Sequence, residues 1–199
     1  MVHAMNGENE PVAQGATSLI GAASKHGLGF WRIYGEIFEA WSAVKRSASE
    51  GSCDRIAVVM GSLGRIDFDP GYSTLLADML LTSDATRNRL DTDAIDVSFL
   101  MQTSHESHWS APEFIRVQTH LLSETKSSTE KELTAALSLA RRQGAHAWEL
   151  KIAVDLAETL LEGRRRQEAR QVLDAAMSSF PDGRRSQTWN SASALQAQC

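Results

Sequence analysis

Residues 130–161 read EKELTAALSLARRQGAHAWELKIAVDLAETLL. Two segments rich in alanine and leucine lie on either side of one glycine, Gly144. Arg141 and Arg142 come just before this glycine, where cations meet the negative end of a helix dipole. Because glycine tolerates the left-handed backbone that ends many helices, the stretch predicts two helices joined by a tight turn.

Other apolar segments of the chain recur at three- and four-residue steps, which is typical of amphipathic helices. No stretch shows sustained alternation of apolar and polar residues. The run Ile56–Met60 is compatible with a strand, but a buried helix fits its neighbours better, so the predicted fold class is all-α. The predicted helices are about Val12–Lys25, Gly29–Arg46, Cys53–Leu63, Tyr72–Leu81, Arg87–Met101, Ala111–Glu124, Glu130–Gln143, Ala147–Leu161 and Arg165–Ser179.

Two of the predicted helices carry a signal at their start. Thr129 and Glu132 have the spacing of a capping box, in which each side chain accepts a hydrogen bond from a free backbone N–H. This pair predicts a helix that begins at Glu130. Pro112 falls near the start of its helix, where the missing N–H of proline is not needed.

An aromatic residue marks the start of every second predicted helix. Trp31, Tyr72, Trp109 and Trp148 follow one another at spacings of 41, 37 and 39 residues. A period near 40 residues with two helices in each repeat indicates an α-solenoid, because one hairpin cannot bury its own apolar face and must stack on its neighbours. The alternative is that four aromatic residues fall at similar spacings by chance.

Composition narrows the class of protein. With 199 residues, of which 42% are apolar, the chain can build a sizeable core. The net charge of -5 provides no general attraction to nucleic acid or to anionic lipid. Cys53 and Cys199 form neither a disulfide framework nor a zinc motif, which favours a reducing compartment. Without a secretory signal or a long apolar run, we expect a cytoplasmic protein with no membrane partner.

The stretch Ala140–Lys151, continued by residues 156–161 and 162–173, resembles the last repeats of the tetratricopeptide-like region of large bacterial regulators. Those proteins have a nucleotide-cyclase or winged-helix DNA-binding domain, then a signalling ATPase, then helical repeats. Residues 27–41 and 108–116 are similar to upstream repeats. The resemblance covers about residues 12–180, and it implies a tetratricopeptide-like α-solenoid of about four antiparallel hairpins in a regulatory, transcription-linked context.

The chain also departs from that family. It has no phosphate-binding loop of the ATPase type, no room for a cyclase domain and no winged-helix pattern. We therefore interpret it as similar to a detached or truncated C-terminal part of such a regulator. The predicted organisation is a mobile leader at 1–11, a helical-repeat domain at 12–180 and a polar C-terminal tail at 181–199 that lacks a closing helix.

Two clusters contain residue types that bind metal ions. His105 and His108 are three positions apart, whereas the zincin pattern places its histidines four apart on a helix so that both face one ion. Asp67 and Asp69 lack the remaining ligands of a calcium loop. No metal-binding residue is assigned.

The candidates for catalysis are equally sparse. Residues 61–64, Gly-Ser-Leu-Gly, lack the lysine of a phosphate-binding loop and are better explained as a helix end. His26, His120 and His146 are scattered, so no Ser–His–Asp triad is indicated. Cys53 is interpreted as a small core residue. The sequence therefore predicts no catalytic and no cofactor-binding residue.

Aromatic and basic residues also have simple explanations. Most aromatic residues are interpreted as hairpin packing residues, and Trp189 in the polar tail is the one expected to be exposed. One cluster of arginines could bind phosphates, but neighbouring acidic residues reduce its positive charge, so nucleic-acid binding is not expected. It consists of Arg164, Arg165, Arg166 and Arg170, followed by Arg184 and Arg185.

The predicted function follows from the architecture. Stacked hairpins provide a long groove for recognition, so we expect a non-enzymatic module that binds a protein or peptide, in a transcriptional or signalling regulator. Two alternatives stay open. An unrecognised enzyme would place several perturbed titratable residues in one pocket between helices. A degenerate remnant would expose an apolar patch where a missing repeat should have stacked.

Overall fold

The computed structural model describes residues 2–5, 7–46, 109–122, 125–181 and 186–199. The all-α prediction is confirmed for these residues, which contain helices and no β-strand. The predicted helices at 53–63, 72–81 and 87–101, with Tyr72, lie outside the described residues. The helices are α1 (Val2–Met5), α2 (Asn9–Lys25), α3 (Gly29–Arg46), α4 (Ala111–Leu122), α5 (Lys126–Gln143), α6 (His146–Glu162), α7 (Arg166–Ser179) and α8 (Gln187–Gln196).

None of these helices combines the length and the apolar character that a bilayer-crossing segment needs. The chain divides into two compact units, one of which contains α2 and α3 and the other α4 to α8.

In the first unit, α2 and α3 form an antiparallel hairpin. Gly35 lies against Ile20 near the turn, and the Ser42 hydroxyl donates to the side chain of Asn9 at the far end. The direction follows because residues later in α3 meet residues earlier in α2. The buried face of α3 includes Ile37 and Trp41, as its apolar spacing predicts. Helix α2 begins at Asn9, inside the segment expected to be a leader.

In the second unit, each helix packs against the next one along the chain. Arg141 contacts Glu149 beside the turn between α5 and α6, and Lys126 contacts Glu162 at the other end, so these two helices are antiparallel. Helix α6 also packs against α4 and α8 and is therefore the centre of the unit. The core is formed by Leu133, Ala136, Leu137, Ala140, Trp148, Leu150, Ile152, Ala153, Val154, Leu156, Ala157, Leu160, Ala169, Leu173, Ala176 and Ala192.

The turn after α5 has the predicted left-handed glycine. Gly144 has φ 64°, its N–H donates to the carbonyl of Arg141 at 3.2 Å, and the Ala145 N–H donates to Ala140 at 2.9 Å. The turn after α6 has the same pair of bonds, but there the left-handed residue is Arg164 with φ 61°, and Gly163 before it has φ -78°. The second turn therefore places its glycine one position too early.

The predicted capping box at Thr129 is wrong. Helix α5 begins at Lys126, and its N-cap is Thr125, whose hydroxyl accepts from the Ser128 N–H at 3.2 Å. Thr125 has extended backbone angles that direct its side chain at the first turn. Thr129 is already helical and donates its hydroxyl to the Thr125 carbonyl, while Glu132 accepts from Ser128.

The expectation that the chain after Phe180 lacks a closing helix is also wrong. Ser186 caps α8 by accepting from the Trp189 N–H at 3.1 Å. Ala192 is fully buried against the core, and Trp189, which was expected to be exposed, packs against it. A small alanine lets α8 approach α6 and α7 closely, so few apolar residues suffice to hold this polar segment.

Candidate functional site

Arg116 is the centre of a buried ionic network between α4 and α6. Glu113 lies three positions earlier on α4, so both side chains are on one face of that helix. Two guanidinium nitrogens of Arg116 bind the two carboxylate oxygens of Glu113 at 2.7 and 2.9 Å. The third nitrogen donates to Asp155 Oδ2 on α6 at 2.7 Å. Such a bidentate pair orients Arg116 toward α6.

Two further side chains extend this network to the surface. Lys151 Nζ donates to Glu113 Oε1 at 2.7 Å, and His120 Nε2 lies 2.6 Å from Asp155 Oδ2. Glu113 and Arg116 are buried, whereas Lys151 and His120 are partly exposed. Arg116 and Lys151 thus balance the charge of the two carboxylates, and the imidazole of His120 adds a hydrogen bond to Asp155.

Burial of Asp155 disfavours its charged form. The positive charge of Arg116 and the hydrogen bond from His120 outweigh that effect, and the pKa of Asp155 is held below its usual value. The carboxylate is therefore ionised at neutral pH and ties α6 to α4 by charge-assisted hydrogen bonds.

One line of charged side chains on α6 reaches solvent. Lys151, Asp155, Glu158 and Glu162 recur at three- and four-residue steps, and we call them the α6 stripe. Most other side chains of α6 are buried against its neighbours. Partial burial, followed by the charge of Asp155, raises the pKa of Glu158. The stripe is therefore a line of charged side chains along the central helix.

A second ionic cluster joins α5, α6 and α7. Glu149 is buried on α6, where it accepts from Arg141 Nε at 2.8 Å and from the Ser179 hydroxyl at 2.8 Å. His146 Nδ1 lies 3.4 Å from the same carboxylate. Burial opposes ionisation of Glu149, but the hydrogen bonds from Arg141, Ser179 and His146 lower its pKa. This cluster binds three helices together.

The structure places the three described histidines of the sequence analysis in different surroundings. His120 joins the Arg116 network, His146 joins the Glu149 cluster, and His26 is exposed at the end of α2. Within the part of the chain that the structure describes, no group of three or more His, Cys, Asp or Glu side chains is placed to hold a metal ion.

Part of the basic run is paired. Arg165 donates to Glu168 and to Glu130 at 2.6 to 2.8 Å, and these carboxylates raise its pKa. The run is therefore partly neutralised at the surface. The remaining candidates lie outside the described residues: Cys53, Gly61–Gly64, Asp67, Asp69, His105, His108, Arg184 and Arg185.

A different surface lies at the turn between α2 and α3. The side chains of Leu28, Phe30 and Trp31 are 48%, 45% and 49% exposed. Trp31, interpreted as a hairpin packing residue, lies against Phe30 and Tyr34 but is only partly covered. Tyr34 and Trp41, on the same helix, are buried as predicted.

The Arg116 network is not predicted by the sequence. The three-residue spacing of Glu113 and Arg116 is a visible signal for one pair, but Asp155 is 39 positions from Arg116 and nothing local links them. Comparison of the chain with known protein families, with curated proteins and with solved structures finds no match.

Proposed function

We propose that the chain is a non-enzymatic helical-repeat module that binds a protein or peptide, with α4 to α8 as a tetratricopeptide-like solenoid. The observation that carries the proposal is the register between α4 and α6. Glu113 contacts Lys151 and Arg116 contacts Asp155, pairs that are 38 and 39 positions apart. The later residue of α4 contacts the later residue of α6, so the two helices are parallel.

This register is what a solenoid requires. Equivalent helices of successive hairpins lie side by side and parallel, one repeat apart. The ring of Trp109 packs against that of Trp148, 39 residues later, at the start of the same two helices. Helix α8 also packs against α6, and in this proposal it is the third helix of the row, after α4 and α6.

The α6 stripe is the binding surface in this proposal. It runs along the middle helix of that row and presents Lys151 followed by three carboxylates. Charged groups at the edge of an interface select partners and orient them more than they add affinity. A partner segment with basic side chains would match the Glu158 end of the stripe. The regulatory context of the module rests on the resemblance of residues 140–173 alone.

Site-specific photocrosslinking tests the proposal. Glu158 is replaced by p-benzoylphenylalanine in the full chain, and the same replacement at Gln171, exposed on α7, is the control. We expect a discrete protein adduct from position 158 in the native host, competed by the unlabelled chain, and none from position 171. A lack of adducts at 158, or the same adducts at both positions, would contradict the proposal. The first of these results would favour a degenerate remnant.

A further inference from the structure

The turn between α2 and α3 has an unusual surface. Every residue from Ser24 to Arg32 is exposed, and we call this segment the α2–α3 tip. It contains three large apolar side chains, two basic residues, one histidine and no acidic residue. Exposed apolar groups that are contiguous and not scattered mark interaction sites.

The backbone of the tip is ordered. Gly27 has φ 66°, its N–H donates to the Ser24 carbonyl at 3.5 Å, and the Leu28 N–H donates to the Ala23 carbonyl at 2.8 Å. This pair of bonds closes α2 and leads directly into α3. The apolar side chains are therefore held on a defined turn.

The aromatic side chains of the tip are also anchored. The rings of Phe30 and Trp31 meet edge to face with centroids 5.5 Å apart, and Phe30 lies 4.8 Å from the ring of buried Tyr34. Phe30 and Trp31 are each about half exposed. This exposed part can enter an apolar phase without unfolding the hairpin.

We propose that the α2–α3 tip inserts into the interface of an anionic lipid bilayer. Leu28, Phe30 and Trp31 would enter the boundary between headgroups and acyl chains, where tryptophan is favoured. Lys25 and Arg32 flank them and would contact anionic headgroups. A turn whose nine residues are all exposed provides no groove for a peptide, so a lipid surface fits it better.

The net charge of the chain does not oppose this binding. Charges more than about 8 Å from the membrane are screened at physiological salt, so the local charge of the tip determines its attraction to an anionic bilayer. Arg32 shares its charge with Glu36 on the next turn of α3, while Lys25 is not paired with a carboxylate among the described residues. Interfacial insertion needs no membrane-spanning helix, and it is independent of the function proposed for the α6 stripe.

Cosedimentation of the full chain with vesicles tests the inference. The probes are phosphatidylcholine vesicles with and without about 30% phosphatidylglycerol, since a basic residue near an anionic surface contributes about fivefold in affinity. We expect binding to the anionic vesicles and a loss of at least about tenfold in the double variant Leu28→Ser with Trp31→Ser. Both side chains are half-exposed, so circular dichroism should be unchanged.

The contribution of positive charge to vesicle binding is tested with a separate matched pair of variants. Lys25→Glu should weaken binding to the anionic vesicles by about tenfold or more, whereas Lys131→Glu, an exposed lysine on α5, should leave it unchanged. Absence of binding, or binding that the tip variants do not reduce, would overturn the inference. Binding that Lys25→Glu and Lys131→Glu weaken equally would also overturn it, because attraction would then be general.

Discussion

The ring of Trp109 stacks on that of Trp148, with centroids 5.1 Å apart and planes inclined by 25°. Trp109 lies just before α4 and Trp148 lies in the first turn of α6. These two helices are not consecutive in the chain. Trp109 is 47% exposed and covers Trp148, which is buried. The pair therefore reports directly on the contact between these two helices.

Truncating the two tryptophans should have unequal effects on stability. Trp148→Ala should lower the free energy of unfolding by about 3–5 kcal/mol, and Trp109→Ala by about 1–2 kcal/mol because half of its surface is already in water. In a double-mutant cycle measured by urea unfolding, stacking should appear as a coupling of about 0.5–1.5 kcal/mol. Additive losses would show that the stacked geometry contributes nothing beyond burial.

Removing Arg116 should be more damaging than removing an exposed arginine. Arg116→Met leaves the buried carboxylate of Glu113 and the partly buried carboxylate of Asp155 without their shared cation, so unfolding should become easier by about 3–5 kcal/mol. Arg170→Met, on the exposed face of α7, is the control and should change stability by less than about 0.5 kcal/mol. Equal losses in the two variants would contradict the role of the network.

The effect of Arg116→Met should depend on pH. In the native protein the pKa of Asp155 is lowered, so its contribution to stability is present above the unfolded carboxyl pKa of about 3.9 and is lost as the pH falls through the folded value. In the variant, the partial burial of Asp155 is no longer offset by Arg116, so we expect its pKa to be raised. Protonation of Asp155 at acidic pH then stabilises the folded variant. The stability difference between the two proteins should narrow from pH 7 toward pH 4.

Glu158 should show the opposite pH dependence. Its pKa is raised in the folded chain, so it destabilises the fold once the pH rises above the unfolded glutamate pKa of about 4.3. Glu158→Gln should therefore stabilise the protein at pH 7, and the gain should disappear as the pH approaches 4. Thermal unfolding across this range is the measurement, and Glu168→Gln, where Arg165 lowers the pKa, should destabilise at pH 7 instead.

The turn after α6 offers a position where a substitution should stabilise the protein. Arg164 has φ 61°, a conformation that disfavours residues with a Cβ atom. Arg164→Gly should raise the free energy of unfolding by about 1 kcal/mol. Arg164→Ala removes the same charge but keeps the Cβ atom, so it should give no such gain in denaturant titrations. An equal gain in both variants would indicate that charge and not backbone strain is the cause.

Two glycines of the first unit should respond in opposite directions. A Cβ atom at Gly35 would lie 2.6 Å from Ile20 Cγ1 and 3.2 Å from the Ile20 backbone nitrogen, so Gly35→Ala should separate α2 from α3 and destabilise the unit by about 1–3 kcal/mol. At Gly21, on α2, a Cβ atom would meet open space. Gly21→Ala should stabilise by about 0.5–1 kcal/mol in the same unfolding assay.

Features set by neighbouring residues could be predicted from the sequence. Apolar spacing located α3, α5 and α6, and Gly144 marked a left-handed turn because few residues other than glycine accept that conformation. Competing local signals were harder to separate. Thr129 has Glu132 at the capping-box spacing whereas Thr125 has Ser128 there, yet the extended backbone of Thr125 makes it the cap.

Relationships between distant residues required the tertiary structure. The pairing of Arg116 with Asp155 depends on the rotation of α4 and α6 about their axes, which helix periodicity alone does not specify. The burial of Ala192 likewise depends on how α8 packs against α6 and α7. Hydrogen bonding within a helix extends only about four residues, whereas these contacts join side chains whose positions depend on the packing of whole helices.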